Sequence, residues 1–486
     1  MPGKKLNFII IISDTLRRDF VSCYNTMKVN GRPVDTRNIA KFAEKCAVFD
    51  NAYSASFPTV PHRHDVMAGT FSATYTPWAP LHPGEPVLQV MIGQQGYTTM
   101  MVCDEPHILE NGFNYQRGFD GFEWIRGQEH DRWKTSPKAP PFKSDPSLYR
   151  NPVGLQTMHM RARAHWHHEQ DWFAPRTASC ACEWLEENYD EGPFYLYVDF
   201  FDPHEPWDAP QWYVDKYVDP DFKGRDVDYP CYTKTAGYLT PDEVENCRAR
   251  YAAEVTLVDR WAGRIFDKVE DLGLLDNTMI IFTADHGFLL GEHGFIGKSF
   301  TSYQGPARHV LRYIPLFEEI NHIPLLVYHP DVKPCRKKAI VQPPDFAPTI
   351  MDIEGHPFLA CQGLSFKETL LGNNDHHRDF ATSFPFLAGP GIPVSMVKDG
   401  WSAILVSRRR EGQGKVIIDK AVDGLEKTLE PWEEARDMLF DLQEDPRQQN
   451  DVSAQHPDVM AAMKKDLIRF LDEMDVEKEL LDGWKD

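Results

Sequence analysis

Several things are scarce in this sequence, and each scarcity removes a class of function. No apolar run is long enough to cross a bilayer, so a membrane is not expected as a partner. Positive charge is in deficit: 52 basic against 73 acidic residues give a formal charge of -21. A surface that acidic repels nucleic acid, so no nucleic acid is expected as a partner either. Cysteine is sparse, odd in number at nine, and never spaced C-x-x-C; Cys180 and Cys182 stand one residue apart. That excludes a dense disulfide framework and reads as reduced thiols in a cytoplasmic protein. Repeats and low-complexity tracts are missing, which excludes solenoids and fibres. Lys4 and Lys5 before Leu6–Ile12 imitate a signal peptide, but the run meets Asp14 with no small-residue cleavage site. It is expected to be a buried strand.

What is present is a globular composition, 42% hydrophobic, over 486 residues, which implies more than one core. Asn7–Ile12 is a continuous β-branched run, as in a central parallel strand covered on both faces. Phe194–Phe201, Thr278–Thr283 and Ile323–Tyr328 read as further strands, and Thr98–Cys103 is strand-like. Helices are expected over Ala178–Asn188 and Asp242–Leu272. Strands alternating with helices imply an α/β fold: a doubly wound, mostly parallel sheet with helices on both faces. Long loops over Tyr75–Arg163, rich in Pro, Trp, Gly and His, are expected to roof the cleft. Val394–Val397, Ser402–Val406 and a helix over Pro457–Met474 suggest a smaller C-terminal α+β subdomain with a short antiparallel sheet. The division is placed at residues 1–375 and 376–486.

Asp14, His204, and the pair Asp285 and His286 each follow a strand at its C-terminal end. In open α/β sheets ligands bind along that edge. Two carboxylates and an imidazole converging there suit a divalent metal, although one such residue alone reads equally as a helix cap. Thr59-Val60-Pro61-His62-Arg63, running on to Gly69, sets a hydroxyl four residues before a guanidinium. A turn into a helix would expose the hydroxyl as a nucleophile, or else leave it as an ordinary N-cap.

These elements, in order along nearly the whole chain, resemble the sulfatase family of the alkaline phosphatase superfamily. Thr59 to Gly69 looks like the family's nucleophile motif, Cys or Ser, x, Pro, x, Arg. Gly118-Phe119-Asp120 and Asp202-Pro203-His204-Glu205-Pro206-Trp207 are similar to family elements. Thr283 to Gly294 with Lys298 is the most specific match, and Phe440 to Pro446 resembles the C-terminal segment. The resemblance implies a hydrolase of small anionic esters. It implies one divalent metal ion held by Asp14, Asp285, His286 and the side chain of Thr59. The imidazole ligand favours manganese or zinc over calcium or magnesium. It further implies that Arg63 stabilises the nucleophile's charge, and that His204 and Lys298 contact the transferred group, one of them protonating the leaving oxygen.

Two departures set the expected chemistry. Thr59 stands where sulfatases carry the Cys or Ser converted to formylglycine, and Thr15 stands where many have a second acid after Asp14. Both turn the reading towards the phosphonate monoester hydrolases and phosphodiesterases of the superfamily. Alternatives are a sulfatase acting without formylglycine, a silent ester-binding relative, and a phosphotransferase. His107, after Asp104 and Glu105, is expected to contact substrate unless it only belongs to a capped turn. His62 is a second candidate contact; His64 is the other histidine beside Arg63. Trp78, Trp124 and Trp207 could line a leaving-group pocket or serve as core. His165-Trp166-His167-His168 is expected to be a polar helix face rather than a metal cluster. The sequence is compatible with a homo-oligomer.

Overall fold

The computed structural model describes residues 5–485 apart from 26, 137, 304–307, 359–360, 386–388, 390, 409–415, 421–425, 431 and 433. Eight strands form the central sheet: β1 (Asn7–Ser13), β2 (Ala47–Ala52), β3 (Thr98–Cys103), β4 (Gly121–Trp124), β5 (Phe194–Phe200), β6 (Thr278–Ala284), β7 (Leu325–Tyr328) and β8 (Cys335–Val341). Their spatial order is β8-β2-β7-β6-β1-β5-β3-β4. All neighbours run parallel except β7, which is antiparallel to both β6 and β2. Every residue of β1, β5 and β6 is buried, which is why these strands are apolar on successive residues instead of alternating.

Two sets of helices pack around this sheet. In one, α2 (Phe173–Asn188) and α3 (Pro241–Asp271) lie together, α3 also meeting Arg37–Ala43. In the other, α1 (Thr59–Ala68) meets Phe346–Ile353 and Leu88–Gly93. The start of α3 is fixed by a capping box: the Thr240 hydroxyl accepts from Glu243 N, and the Glu243 carboxylate accepts from Thr240 N at 2.9 Å. The first expected helix begins five residues earlier than its periodicity indicated, at Phe173, because Phe173 and Ala174 are buried there as well. His165–His168 leaves helix altogether. His167 and His168 donate their backbone N–H groups to Asp171, opening a 3-10 turn.

Ala381–Pro385, Pro393–Lys398, Trp401–Val406 and Met438–Asp441 make an antiparallel C-terminal sheet, and Pro457–Glu473 packs against it. This sheet also takes a strand from far upstream. Ser56–Phe57 pairs in parallel with Phe384 and Pro385. The turn leading into α1 is therefore held by the C-terminal sheet, and α1 itself is buried along its whole length. Asp65, inside α1, tightens the joint. Its carboxylate accepts from Ser56 N and from Ser72 N, each at 2.8 Å. Gly69 then closes the helix at φ 65, where a residue with a Cβ is strained.

Asp65→Ala would leave two buried backbone donors without partners. The expected loss is roughly 2–4 kcal/mol of unfolding free energy, read by denaturant titration; a loss under 1 kcal/mol would show that water replaces the carboxylate.

Candidate active site

The register of the sheet builds the site. Ser13 lies opposite Ala284, so the next residues, Asp14 and Asp285, leave neighbouring strands side by side. Asp14 is completely buried, as are Arg63 and His286, and Thr59, His204, Asp285 and Lys298 are nearly so. Thr15 sits at φ 62, a strained backbone for a β-branched residue. In that conformation its N–H reaches Asp285 Oδ1 at 2.8 Å and its hydroxyl reaches Asp14 Oδ1 at 2.6 Å. Thr15 thus orients both carboxylates from the place where a second acid would otherwise stand. His286 donates from Nδ1 to Gly287 O at 2.9 Å, which turns Nε2 towards Asp285 Oδ2 at 3.4 Å. Gly287 is required here, since a Cβ would come within 2.0 Å of Glu319 O.

Arg63 joins the elements. Nη1 donates to Asp14 Oδ2 at 2.9 Å, to Asp285 Oδ2, and to the Thr59 carbonyl at 3.3 Å. Nε and Nη2 grip Asp199 in a two-pronged bond at 3.0 and 2.7 Å. Asp199 was not singled out from the sequence; the signal available was an acid inside the otherwise apolar run Phe194–Phe201. Lys298 Nζ lies 3.3 Å from His286 Nε2, 3.4 Å from Thr15 Oγ1 and 3.8 Å from Asp14 Oδ1. Thr59 opens α1 with Pro58 as the cap residue, and no side-chain cap is made. The N-cap alternative for Thr59 is therefore set aside.

Burial opposes ionisation of Asp14, but Lys298 and Arg63 outweigh it and hold its carboxyl well below the usual range. Burial and the Asp14 charge push Asp285 up. Burial followed by Lys298 keeps His286 well below its usual value. For His204, burial lowers the ring further than Glu205 raises it.

Asp14, Asp285 and His286 are the group among the described residues whose ligand atoms converge, all within 4.8 Å of one another. Two carboxylate oxygens and an imidazole nitrogen fit a divalent cation. The other expected residues divide. His62 is fully buried on α1, its ring nitrogens without partners among the described residues, and burial with Arg63 holds its pKa well down. His64 bonds Glu85 at 2.7 Å. His107 is partly exposed and pairs with Glu129 at 2.8 Å, its ring beside Trp78. Trp207 is core, and Trp124 carries Arg126 on its face. Glu105 is buried in the field of Asp14 and Arg63, with Oε2 unpartnered among the described residues. Two residues before His204 in the chain, Asp202 accepts from Gln128 and from Ala174 N, and burial with Asp208 nearby pushes it up to about 7.

Residues 6–356 match the family model described as Sulfatase. The arylsulfatase of Clostridium perfringens (strain 13 / Type A) is 22% identical over 418 residues, covering 77% of this chain and 80% of the relative. Among solved structures, the phosphonate monoester hydrolase of Agrobacterium radiobacter superposes with a TM-score of 0.70 at 17% identity, over 97% of this chain and 96% of that one. A structure described as in complex with its substrate D-glucosamine-2-N,6-O-disulfate superposes with a TM-score of 0.69 at 18% identity, over 98% of this chain and all of that one. At such identities the superpositions show a shared fold.

Asp202 has a testable consequence. Its folded pKa, about 7, lies above the unfolded value of about 3.9. The native state therefore binds the extra proton, and this group's contribution is complete below the unfolded value and lost as pH rises through about 7. The thermal midpoint is expected to fall between pH 5 and pH 8, and Asp202→Asn to flatten that slope; an unchanged slope in the variant would assign it to other groups.

Proposed function

The chain belongs to the sulfatase family, and from that premise we propose that it hydrolyses phosphodiesters or phosphonate monoesters, with Thr59 as nucleophile and one divalent metal ion held by Asp14, Asp285, His286 and the Thr59 side chain. The family and the fold make it an ester hydrolase acting on anionic esters. The observation that carries the finer reading is Thr59 itself. It is buried at the first turn of α1, one helical turn from Arg63, whose guanidinium binds both Asp14 and Asp285.

The chemistry of that residue favours phosphorus over sulfur. A formylglycine hydrate releases its sulfate by elimination from the gem-diol. A threonine ester has no such exit and must be cleaved by a second attack at the heteroatom, a familiar course at phosphorus. Bound metal would supply Lewis-acid charge to the ester and nucleophile oxygens; the mixed carboxylate and imidazole donors suit manganese or zinc. The Thr59 oxygen loses its proton to solvent and attacks phosphorus, and the bond to the leaving oxygen breaks. His204 in its protonated form, with Lys298 beside the same anion, donates a proton to that oxygen and regains one from solvent. Water then attacks phosphorus, the bond to Thr59 breaks, and the threonine hydroxyl is restored. Arg63 holds the charge of the nucleophile and fixes the turn that carries it.

Aryl phosphodiester, aryl phosphonate monoester, aryl phosphate monoester and aryl sulfate should be compared side by side on metal-loaded protein. A phosphorus ester is expected to be cleaved fastest, and Thr59→Ala to lose roughly 10³-fold or more in kcat/KM. Preference for the sulfate would instead make the protein a sulfatase that works without formylglycine. Asp285→Ala should lose bound metal by elemental analysis with the far-UV spectrum unchanged; full metal content would remove Asp285 from the ligand set.

A further inference from the structure

A second network of buried charge starts at His204 and runs away from the metal-binding group. His204 donates from Nδ1 to the Glu205 carbonyl at 2.7 Å, and the Glu205 carboxylate lies behind the same nitrogen, Oε2 at 3.4 Å. Glu205 is completely buried, and its other oxygen accepts from Tyr232 OH and from Arg150 Nη2, the latter at 2.9 Å. The same Nη2 donates to Glu129 Oε1 at 2.6 Å, where Tyr229 OH also donates at 2.6 Å. The second oxygen of Glu129 bonds His107 Nε2 at 2.8 Å. Arg150 lies over the rings of Tyr229 and Tyr232, at 4.7 and 4.3 Å from their centroids. One guanidinium from the roof therefore ties together two carboxylates, each of which backs an imidazole. The two imidazoles are joined on the other side by Phe201, whose ring centre is 4.2 Å from that of His204 and 6.1 Å from that of His107, with Trp78 beyond at 5.4 Å. Glu129 holds a left-handed backbone, φ 37, within this arrangement.

For His204 the Glu205 carbonyl fixes the tautomer, and the Glu205 carboxylate 3.4 Å from the same nitrogen supports the charged form of the ring; for His107 the Glu129 carboxylate bonds the ring directly. With Nδ1 occupied by the Glu205 carbonyl, Nε2 is the nitrogen of His204 left to face an ester. We propose that Arg150 is a positioning residue for the leaving group: through Glu205 it sets His204 as proton donor, and through Glu129 it sets His107, beside Trp78, as the contact that selects the alcohol. Arginine is required because a single nitrogen of a planar, permanently charged group must satisfy both carboxylates while the group stacks on two tyrosines. The inference rests on the ester-hydrolysis reading above.

The test compares an aryl ester with an alkyl ester of whichever class the protein cleaves, in Glu205→Gln, Glu129→Gln and Arg150→Lys. An alkoxide leaves poorly without a proton, whereas an activated phenolate does not need one. Glu205→Gln and Arg150→Lys should therefore lose about tenfold or more on the alkyl ester beyond any loss on the aryl ester. Glu129→Gln should raise KM by different factors for the two esters, with kcat on the alkyl ester lowered no more than on the aryl ester. Equal losses on both esters would overturn the proposal and reduce the network to scaffolding. A second readout needs no turnover: in protein carrying 15N-histidine, Glu205→Gln should shift the ring nitrogens of His204, assigned by His204→Gln, and leave those of His286 in place. A shift without any ester cleavage would retain the positioning role and reject the hydrolase reading; no shift would reject the positioning role.

Discussion

The site depends on one buried guanidinium. Arg63 carries its charge at full burial and is matched by Asp14, Asp199 and Asp285, which come from or directly after three different strands. Taking such a charge out of water is expensive, and the three carboxylates gathered around Arg63 offset that cost. The sheet register, the start of α1 and the strand ends are therefore mutually fixed: none can shift without separating Arg63 from a carboxylate. Asp199 is the anchor in this set, because it takes the two-pronged face of the guanidinium and leaves only Nη1 for Asp14 and Asp285.

The same constraint explains why the C-terminal sheet reaches back to Ser56–Phe57. A helix that begins beside the Asp14, Asp285 and His286 group would have its first turn exposed to any ligand bound there. Pairing the preceding two residues with Phe384 and Pro385, and locking them again through Asp65, removes the freedom that the turn would otherwise have. Thr59 is thereby placed by distant segments of chain and not by its own neighbours alone.

This division also governs what could be read from the sequence. The strands ending at Asp14 and Asp285 were legible because a strand buried on both faces must be apolar at successive positions, and the next polar residue then marks the sheet edge. The helix expected over Asp242–Leu272 was legible for a similar local reason, its apolar residues recurring at helical spacing. Asp199 was not, since an acid within a strand gains meaning only from Arg63, 136 residues away. Nor were Glu129 and Arg150, which come from separate loops and follow no period; Arg150 bridges Glu129 to Glu205. His165–His168 was expected on a helix face; Asp171, by drawing in the backbone N–H groups of His167 and His168, ends the helix first. Thr15 showed the limit from the other side. The sequence marks a missing acid there, while the structure shows its N–H and hydroxyl orienting the two acids that remain.

The charge balance of the site bears on the kind of ester it could accept. Asp14, Asp199 and Asp285 face two fixed cations, Arg63 and Lys298, with burial keeping His286 low. Counted as ionised, the three carboxylates exceed the cations by one, so the cluster alone would repel an anion. A divalent cation among the carboxylates, with Thr59 counted as its neutral hydroxyl, would reverse the balance to a single positive charge. A singly charged ester then restores neutrality among these buried groups, whereas a doubly charged one leaves an excess. Phosphodiesters and phosphonate monoesters carry one charge; phosphate monoesters at neutral pH approach two. Sulfate monoesters share the single charge, so this balance favours monoanions without separating phosphorus from sulfur; the proposed threonine nucleophile would separate them, because a covalent threonine ester would be opened only by a second attack on the central atom.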